Sequence, residues 1–526
     1  MRHNSHFSIT HTALHVDAWA LGHPGAPDCP SPMQNGTLLA AVDLGSNSFR
    51  LEIGRYQGGH IERTEYLKET VRQGAGMDEN KLLSPTAMQR GWDCLARFAE
   101  RLHGFKKQQV RAVATQTLRE AKNRDEFLRR AQSILGFPIE VIAGQEEARL
   151  IYQGVSRLLP QSDEKRLVVD IGGRSTEMIL GQGYLASAME SYRLGSVAWT
   201  GKYFARGDFN TAAFKTAGVA AKAVLDQALG RFPPSDWSVA YGSSGTVGAV
   251  ADILSANGWA TGVVTRSGLD WLVDRLVKAR HIDLLRLDGL KDDRRPVLGG
   301  GIAVLHAIFD LFDIQQMLPA QGALRQGALY DLIERETEGG DVRERTVRWL
   351  ASRFSADEAQ AQRVSTVATT LFSQIAAIDP HNERYVRKLA WAARLHEIGT
   401  HISHDRSYYH GAYILSNVDA PGFSIYELQR MSELVLGQRG KLKKLDASLD
   451  DELFVRQLMC LRLAVLLCHA RQMPEYESVH LSYRSGAFKL TTDPGWARRY
   501  PQSAWLIGEE VLAWQKTAWK FGVDIR

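Results

Sequence analysis

Two stretches of this chain carry side chains suited to gripping a phosphate. In 164-EKRLVVDIGGRSTEMIL-180 an apolar run, Leu167–Val169, ends at Asp170. A turn with Gly172, Gly173, Arg174, Ser175 and Thr176 follows, then Glu177 and a second apolar run, Met178–Leu180. Strand, acid, glycine turn, strand reads as a hairpin whose backbone N–H groups wrap a phosphate while the carboxylate meets a metal. A diluted copy lies upstream in 39-LAAVDLGSNSFRLEIG-54, with Asp43, Gly45, Ser46, Asn47 and Ser48 in the corresponding places. The two acids stand 127 positions apart (170 minus 43), as expected of one ancestral unit used twice. Two such turns facing each other across a cleft would hold one phosphoryl group between them.

Candidates for the remaining chemistry sit at strand ends. After the strand 138-PIEVIA-143, Gly144 opens a helix whose first turn holds Glu146 and Glu147. Acids in that position stabilise a helix through its macrodipole by a few tenths of a kcal/mol, roughly. At the ligand-bearing edge of an α/β sheet, one of them facing a phosphate is also a natural general base for water. In 109-QVRAVATQTLREAKN-123 a strand over Val110–Ala114 leads through Thr115–Thr117 into a helix carrying Arg119, again an anion-binding junction. The third glycine-bearing strand end is 236-DWSVAYGSSGTVGAVADIL-254, where Gly242, Ser243, Ser244, Gly245 and Thr246 allow close approach of a ligand to a helix N-terminus. Arg325 lies in a turn before a closing helix, and Arg72 in the glycine-rich loop 70-TVRQGAGMDEN-80.

The elements that must position these groups alternate strand and helix up to about residue 333, which predicts an α/β fold. Ser84 and Pro85 predict a helix start, running to about Arg101. With 526 residues the chain has room for several domains. Charged 334-ERETEGGDVRER-345 reads as a linker to a mostly helical half. There 391-WAARLHEIGTHISHDRSYYHGAYIL-415 is rich in histidine, and His396-Glu397 and His404-Asp405 resemble pairs of metal ligands. The first pair ends in Glu, a methylene longer than the His–Asp such sites use, and further on Gln438 stands where a His is wanted; the region reads as structural. Arg439, Lys441, Lys443 and Lys444 form either a polyanion-binding patch or a solvated basic face. The segment 473–526 alternates like strand over 479-VHLSYRSGAFKLTTD-493 and closes with a Trp-rich helix.

A formal net charge of +5 is mild for this length and permits an acidic partner without demanding a nucleic acid polymer. No run reaches the eighteen or so apolar residues of a membrane span. The four cysteines lack CxxC spacing, so buried free thiols and a reducing, cytoplasmic setting are expected, peripheral membrane association being compatible with it. Residues 1–36, with scattered His, Pro and Ser, read as a disordered extension without a secretory signal; Met33 is an alternative start.

The motifs AVDLGSNSFR, TQTLREA, GQEEARLI, VDIGGRSTE, RLGSV, GSSGT and GALRQG, in this order, resemble the exopolyphosphatase/guanosine pentaphosphate phosphatase (Ppx/GppA) family over roughly residues 38–490. That resemblance implies two duplicated actin-like (ribonuclease H-like) α/β domains, here 37–150 and 151–333. An all-α degenerate HD-like domain (334–472) and a small C-terminal α+β domain (473–526) would follow. It implies Glu147 as catalytic base, Arg119 near the terminal phosphate, and Mg²⁺ associated with Asp170 and Glu177. Asp43, Ser46, Asn47 and Ser48 match the first phosphate motif, Asp43 being a further metal-side carboxylate, and residues 242–246 the third. The family usually has a third glycine where this chain has Arg174. That substitution costs about 1–2 kcal/mol if the position needs a positive φ; otherwise it adds a cation beside the phosphate turn. The expected activity is exopolyphosphatase, with the basic 439–444 stretch favouring long chains. The alternatives are hydrolysis of pppGpp to ppGpp and a catalytically silent polyphosphate- or nucleotide-binding sensor. A homodimer is expected from the large apolar helical surfaces.

Overall fold

The apolar run of the upstream hairpin becomes strand β1 (Leu38–Leu44), buried along nearly its whole length. A strand without alternation is one covered on both faces, as between two helical layers. The computed structural model describes residues 33–159, 162–336, 341–376, 382–418 and 420–526. The expected extension, with its histidines and Cys29, falls almost wholly outside them.

β1 pairs antiparallel with β2 (Phe49–Gln57), which pairs antiparallel with β3 (His60–Glu69). On its other side run β4 (Val110–Ala114) and β5 (Ile139–Val141), both parallel, for the order β3-β2-β1-β4-β5. The second sheet holds β6 (Lys165–Ile171), β7 (Thr176–Gln182), β8 (Leu185–Tyr192), β9 (Val239–Ser243), β10 (Val264–Thr265) and β11 (Gln316–Pro319). Its order is β10-β11-β9-β6-β7-β8. With β6 laid on β1, the run β8-β7-β6-β9-β11 repeats the first sheet with the same sense in each pair, β10 being an addition. Register shows where the copies diverged. Asp43 faces Arg50 across its hairpin, whereas Asp170 faces Glu177.

Helix Pro85–Arg101 starts where expected, Ser84 Oγ accepting from Ala87 N at 3.3 Å. Helix Gly144–Leu158 crosses helix Leu324–Glu336 at backbone contact. A Cβ at Gly327 would fall on the Leu150 carbonyl, and one at Gly154 on that of Ala323. Gly327→Ala should therefore cost about 1–3 kcal/mol or more by overpacking. Urea denaturation checks this; an unchanged midpoint would mean the crossing is looser than described.

Beyond residue 341 come helices Val342–Arg353, Glu358–Ile375, Asn382–Arg394, Ser407–Asn417, Ile425–Gly437 and Glu452–Leu467. The charged linker is shorter than its composition suggests, since helix persists to Glu336. A three-stranded sheet of β12 (Val479–Arg484), β13 (Ala487–Thr492) and β14 (Lys520–Asp524) and the helix Pro501–Trp514 follow. These share one apolar core with the helices before them, and a buried Arg462–Glu510 pair (Nη2–Oε2 2.7 Å) ties the two parts together. Cys94, Cys460 and Cys468 are buried free thiols. Among the described residues no helix is long and apolar enough to cross a membrane.

Candidate active site

The carboxyl ends of β1 and β6 open on one cleft of about 250 Å³. Asp43, Ser46, Asn47 and Ser48 line it from the first copy, and Asp170, Gly172, Gly173 and Ser175 from the second. The two turns come together directly: a Cβ at Gly173 would lie 3.0 Å from Ser46 Cβ and 3.5 Å from Asn47 N, space a side chain would close. Ser244, Gly245 and Thr246 add a third wall. Ser244 there takes φ +70, a left-handed conformation rare outside glycine, of the kind that collects at functional sites.

Glu147 lines the same cleft, carried by the first turn of helix Gly144–Leu158. Its Oε2 accepts from Arg119 Nη1 at 2.8 Å, and the same nitrogen donates to Ile142 O at 2.8 Å. Arg119 Nε and Nη2 both donate to Gln116 Oε1. Arg119 thus braces the carboxylate and is not itself among the cleft-lining groups. Glu146 points the other way, into a buried ion network with Arg111 (3.0 Å) and Arg149 (2.7 Å). The two neighbouring glutamates therefore divide the roles left open by sequence: Glu146 anchors the helix and Glu147 faces the cleft.

Burial pushes the Glu147 carboxyl up to about 7, with Asp43 and Asp170 adding to the rise and Arg119 opposing it. Burial likewise raises Asp170 to about 6, against hydrogen bonds from Ser243 and Ser244. Glu177 is fully buried behind them, and burial plus the charges of Glu147 and Asp170 raise it well above the usual carboxylate range. Its Oε1 accepts from Ser191 Oγ at 2.7 Å, and its Oε2 has no hydrogen-bond partner among the described residues. Asp43 differs, being paired with Arg50 at 3.2 Å and near Arg325 at 3.7 Å.

Desolvated, mutually repelling carboxylates with an unpartnered oxygen fit a divalent cation. Among the described residues no group of three or more His, Cys, Asp or Glu is placed to hold one unaided. A divalent ion such as Mg²⁺ takes one or two carboxylates and completes its shell with water and substrate phosphates.

Other expected contacts go elsewhere. Arg174 has no positive φ, so the strain considered for it does not arise. Its guanidinium pairs with Glu120 at 2.9 Å and reaches the Gly74 carbonyl at 3.3 Å; it does not line the cleft. Thr176 Oγ1 donates to Leu194 O (2.6 Å) and Ser243 Oγ to Gly322 O (2.9 Å), while Gly242 is paired within the sheet; all three shape the walls from behind. Arg325 does line the cleft, Nε donating to Glu52 at 3.2 Å. Lys441, Lys443 and Lys444 do not. Lys441 and Lys443 are exposed on the far connection, and Lys444 Nζ sits 3.7 Å from the centre of the Tyr408 ring while donating to Arg439 O. His396 is buried, its Nδ1 2.7 Å from Ala393 O, and Glu397 pairs with Arg471.

Sequence reasoning missed Arg50, Lys68 and Arg294, which complete a cationic wall, and Tyr66 in the same lining. Arg50 ends the motif AVDLGSNSFR on a strand, with no local signal that it faces a ligand. Lys68 and Arg294 meet only through the fold, Lys68 Nζ bonding Asp293 Oδ2 at 2.6 Å.

Comparison with known proteins places the chain. A model of the Ppx/GppA phosphatase family matches residues 53–336, and a model of domain III of that family matches residues 342–511. The chain belongs to the Ppx/GppA phosphatase family. Relatives include a Vibrio cholerae protein named guanosine-5'-triphosphate,3'-diphosphate pyrophosphatase, 38% identical over 490 residues, 93% of this chain and 98% of the relative. An Aeromonas hydrophila protein of the same name is 37% identical over 492 residues, 93% and 99% of the two chains. Among solved structures, an exopolyphosphatase from Cytophaga hutchinsonii superposes with a TM-score of 0.52 at 22% identity, covering 57% of this chain and 98% of its own. That likeness concerns the fold. Ppx/GppA proteins are phosphoanhydride hydrolases, and this chain is one.

Proposed function

We propose that the chain removes the terminal phosphate of pppGpp to give ppGpp. The observation that carries this is the near full-length match to relatives named for that guanosine substrate. It reverses the order expected from sequence, where the basic 439–444 stretch favoured long polyphosphate. That stretch lies outside the lining of the cleft, so it offers a long chain no track there.

The terminal phosphoryl group lies between the turns at Ser46–Ser48 and Gly172–Ser175, where backbone N–H groups and the Arg50, Arg294 and Arg325 cations take up developing charge. Glu147, held by Arg119, orients water for in-line attack and accepts its proton. A Mg²⁺ ion held beside Asp170, with Asp43 and Glu177 as the other candidate carboxylates, would supply further charge neutralisation at the phosphoryl oxygens. Tyr66, 41% exposed at the rim with the Arg325 guanidinium 5.2 Å from its ring centre, offers a face for a base.

Phosphate release from pppGpp and from long polyphosphate, measured side by side, decides the substrate. A kcat/KM for pppGpp well above that per polyphosphate end is expected, and the reverse ranking would overturn the reading. Tyr66→Ala should raise KM for pppGpp about tenfold through loss of roughly 1–3 kcal/mol of stacking. Tripolyphosphate, lacking a base, should be unaffected. A loss shared by both substrates would remove Tyr66 from base recognition.

A further inference from the structure

The turn between β6 and β7 sends one side chain across to the first sheet's half of the molecule. Arg174 reaches Glu120, the last residue of the short helix Gln116–Glu120 that follows β4. Its Nε and Nη2 both donate to Glu120 Oε2, at 3.3 and 2.9 Å, and Nη1 donates to Gly74 O at 3.3 Å. Gly74 in turn donates its N–H to Ser46 O at 2.7 Å, inside the first phosphate turn. One guanidinium from the second turn thus holds the backbone that backs the first. The Glu120 carboxylate is only 11% exposed, whereas the other cation near it, Arg193, stands 3.9 Å away and is 76% exposed. A solvated cation at that distance contributes little beside the bonded one.

The second oxygen of Glu120 leads to the base. Gln116 Nε2 donates to Glu120 Oε1 at 2.8 Å, while Gln116 Oε1 accepts from Arg119 Nη2 at 2.6 Å and from Nε at 3.0 Å. Arg119 Nη1 then donates to Glu147 Oε2 at 2.8 Å. Gln116 is buried, and its amide has one workable orientation. Turned over, its NH2 group would face the Arg119 donors and its carbonyl oxygen the Glu120 carboxylate, so each attraction would become a repulsion. Glu120 therefore fixes Gln116, Gln116 fixes two nitrogens of Arg119, and Arg119 fixes Glu147. The spacing makes this possible, since Gln116 meets Arg119 and Glu120 three and four residues on, along one helix face.

We propose that Arg174, Glu120 and Gln116 are positioning residues that couple the meeting of the two phosphate turns to the aim of Glu147. None of the three lines the cleft, so their effect on the reaction passes through Arg119. The proposal rests on Glu147 as the base and is indifferent to which phosphoanhydride is cleaved.

Phosphate release by the full chain with Mg²⁺, from pppGpp and from tripolyphosphate, tests this in Arg174→Met and Gln116→Met. Methionine keeps the bulk of each side chain and removes its polar links. Each variant should lower kcat about tenfold, within the ~10²-fold that a misplacement of about 1 Å can cost, and leave KM within about twofold of wild type. Each is then combined with Glu147→Gln and measured under single turnover. With no base left to aim, the methionine substitutions should change the residual rate by less than about twofold. Penalties that persist in full in that background mean the residues act elsewhere, and overturn the proposal. So does a wild-type kcat in both single variants, or a raised KM with kcat unmoved, which would make them ligands of the substrate. Should Arg174→Met fail to fold, Gln116→Met carries the same test from the middle of the chain of bonds. Wild-type turnover by Glu147→Gln would remove the base itself, an outcome distinct from a slow Glu147→Gln whose penalties simply multiply.

Discussion

Glu147→Gln is expected to cut phosphate release by about 10²–10⁴-fold while substrate affinity stays close to that of the wild type. The carboxamide keeps the size of the side chain and still accepts from Arg119 through its oxygen. It cannot take a proton from water. It also removes one of the charges that repel Asp170 and Glu177, so the variant should melt no lower than the wild type. A fall in activity with unchanged melting temperature separates lost chemistry from lost structure. The pH profile is a second signature. Burial, with Asp43 and Asp170, pushes Glu147 up to about 7 against the pull of Arg119. A general base works only when ionised, so kcat/KM of the free enzyme should fall as pH drops through that value, and the residual activity of Glu147→Gln should lack this limb. Equal turnover by the variant would remove Glu147 from the mechanism.

Much of this site was legible because its residues sit at the ends of apolar strands, where local pattern is strongest. The β4 run Val110–Ala114 and the paired hairpins follow from unbroken apolar stretches closed by an acid and a glycine turn. What stayed hidden depends on distance along the chain. The Lys68–Asp293 contact spans 225 residues, and nothing near Arg294 in sequence marks it as cleft-lining. The Arg174 guanidinium reads as a phosphate ligand until Glu120 is seen beside it. β14 escaped because Lys520–Asp524 is short and half polar; its pairing with β13 supplies what its own pattern lacks. The basic 439–444 stretch stands outside the cleft lining, since local charge density says nothing of which surface a loop occupies.

Asp331→Asn should destabilise the protein by about 3–5 kcal/mol at neutral pH, the cost of leaving buried cations unpaired. Asp331 is 1% exposed and accepts from Arg111, Arg149 and Arg335, the last at 2.6 Å. Asparagine has the same shape but no charge, so the ion pairs left to the three guanidiniums among the described residues would be those with Glu146 and Glu140. Burial by itself would raise the Asp331 carboxyl, yet Arg111, Arg335 and Arg149 hold it far below the usual range. A depressed carboxylate contributes stability that is present above the unfolded value, near 4, and is lost only as pH falls through the lower folded value. The carboxylates that line the cleft act with the opposite sign. Glu147 and Asp170, raised to about 7 and about 6, bind protons more tightly folded than unfolded, so they weaken the fold as pH rises from about 4 to 7. Denaturation without divalent cation should therefore show a wild-type chain more stable at pH 5 than at pH 7. The loss caused by Asp331→Asn should be of similar size at both. A variant as stable as wild type would mean the arginines find other counter-charge, and a wild type least stable at pH 5 would mean the cleft carboxylates are ionised there after all.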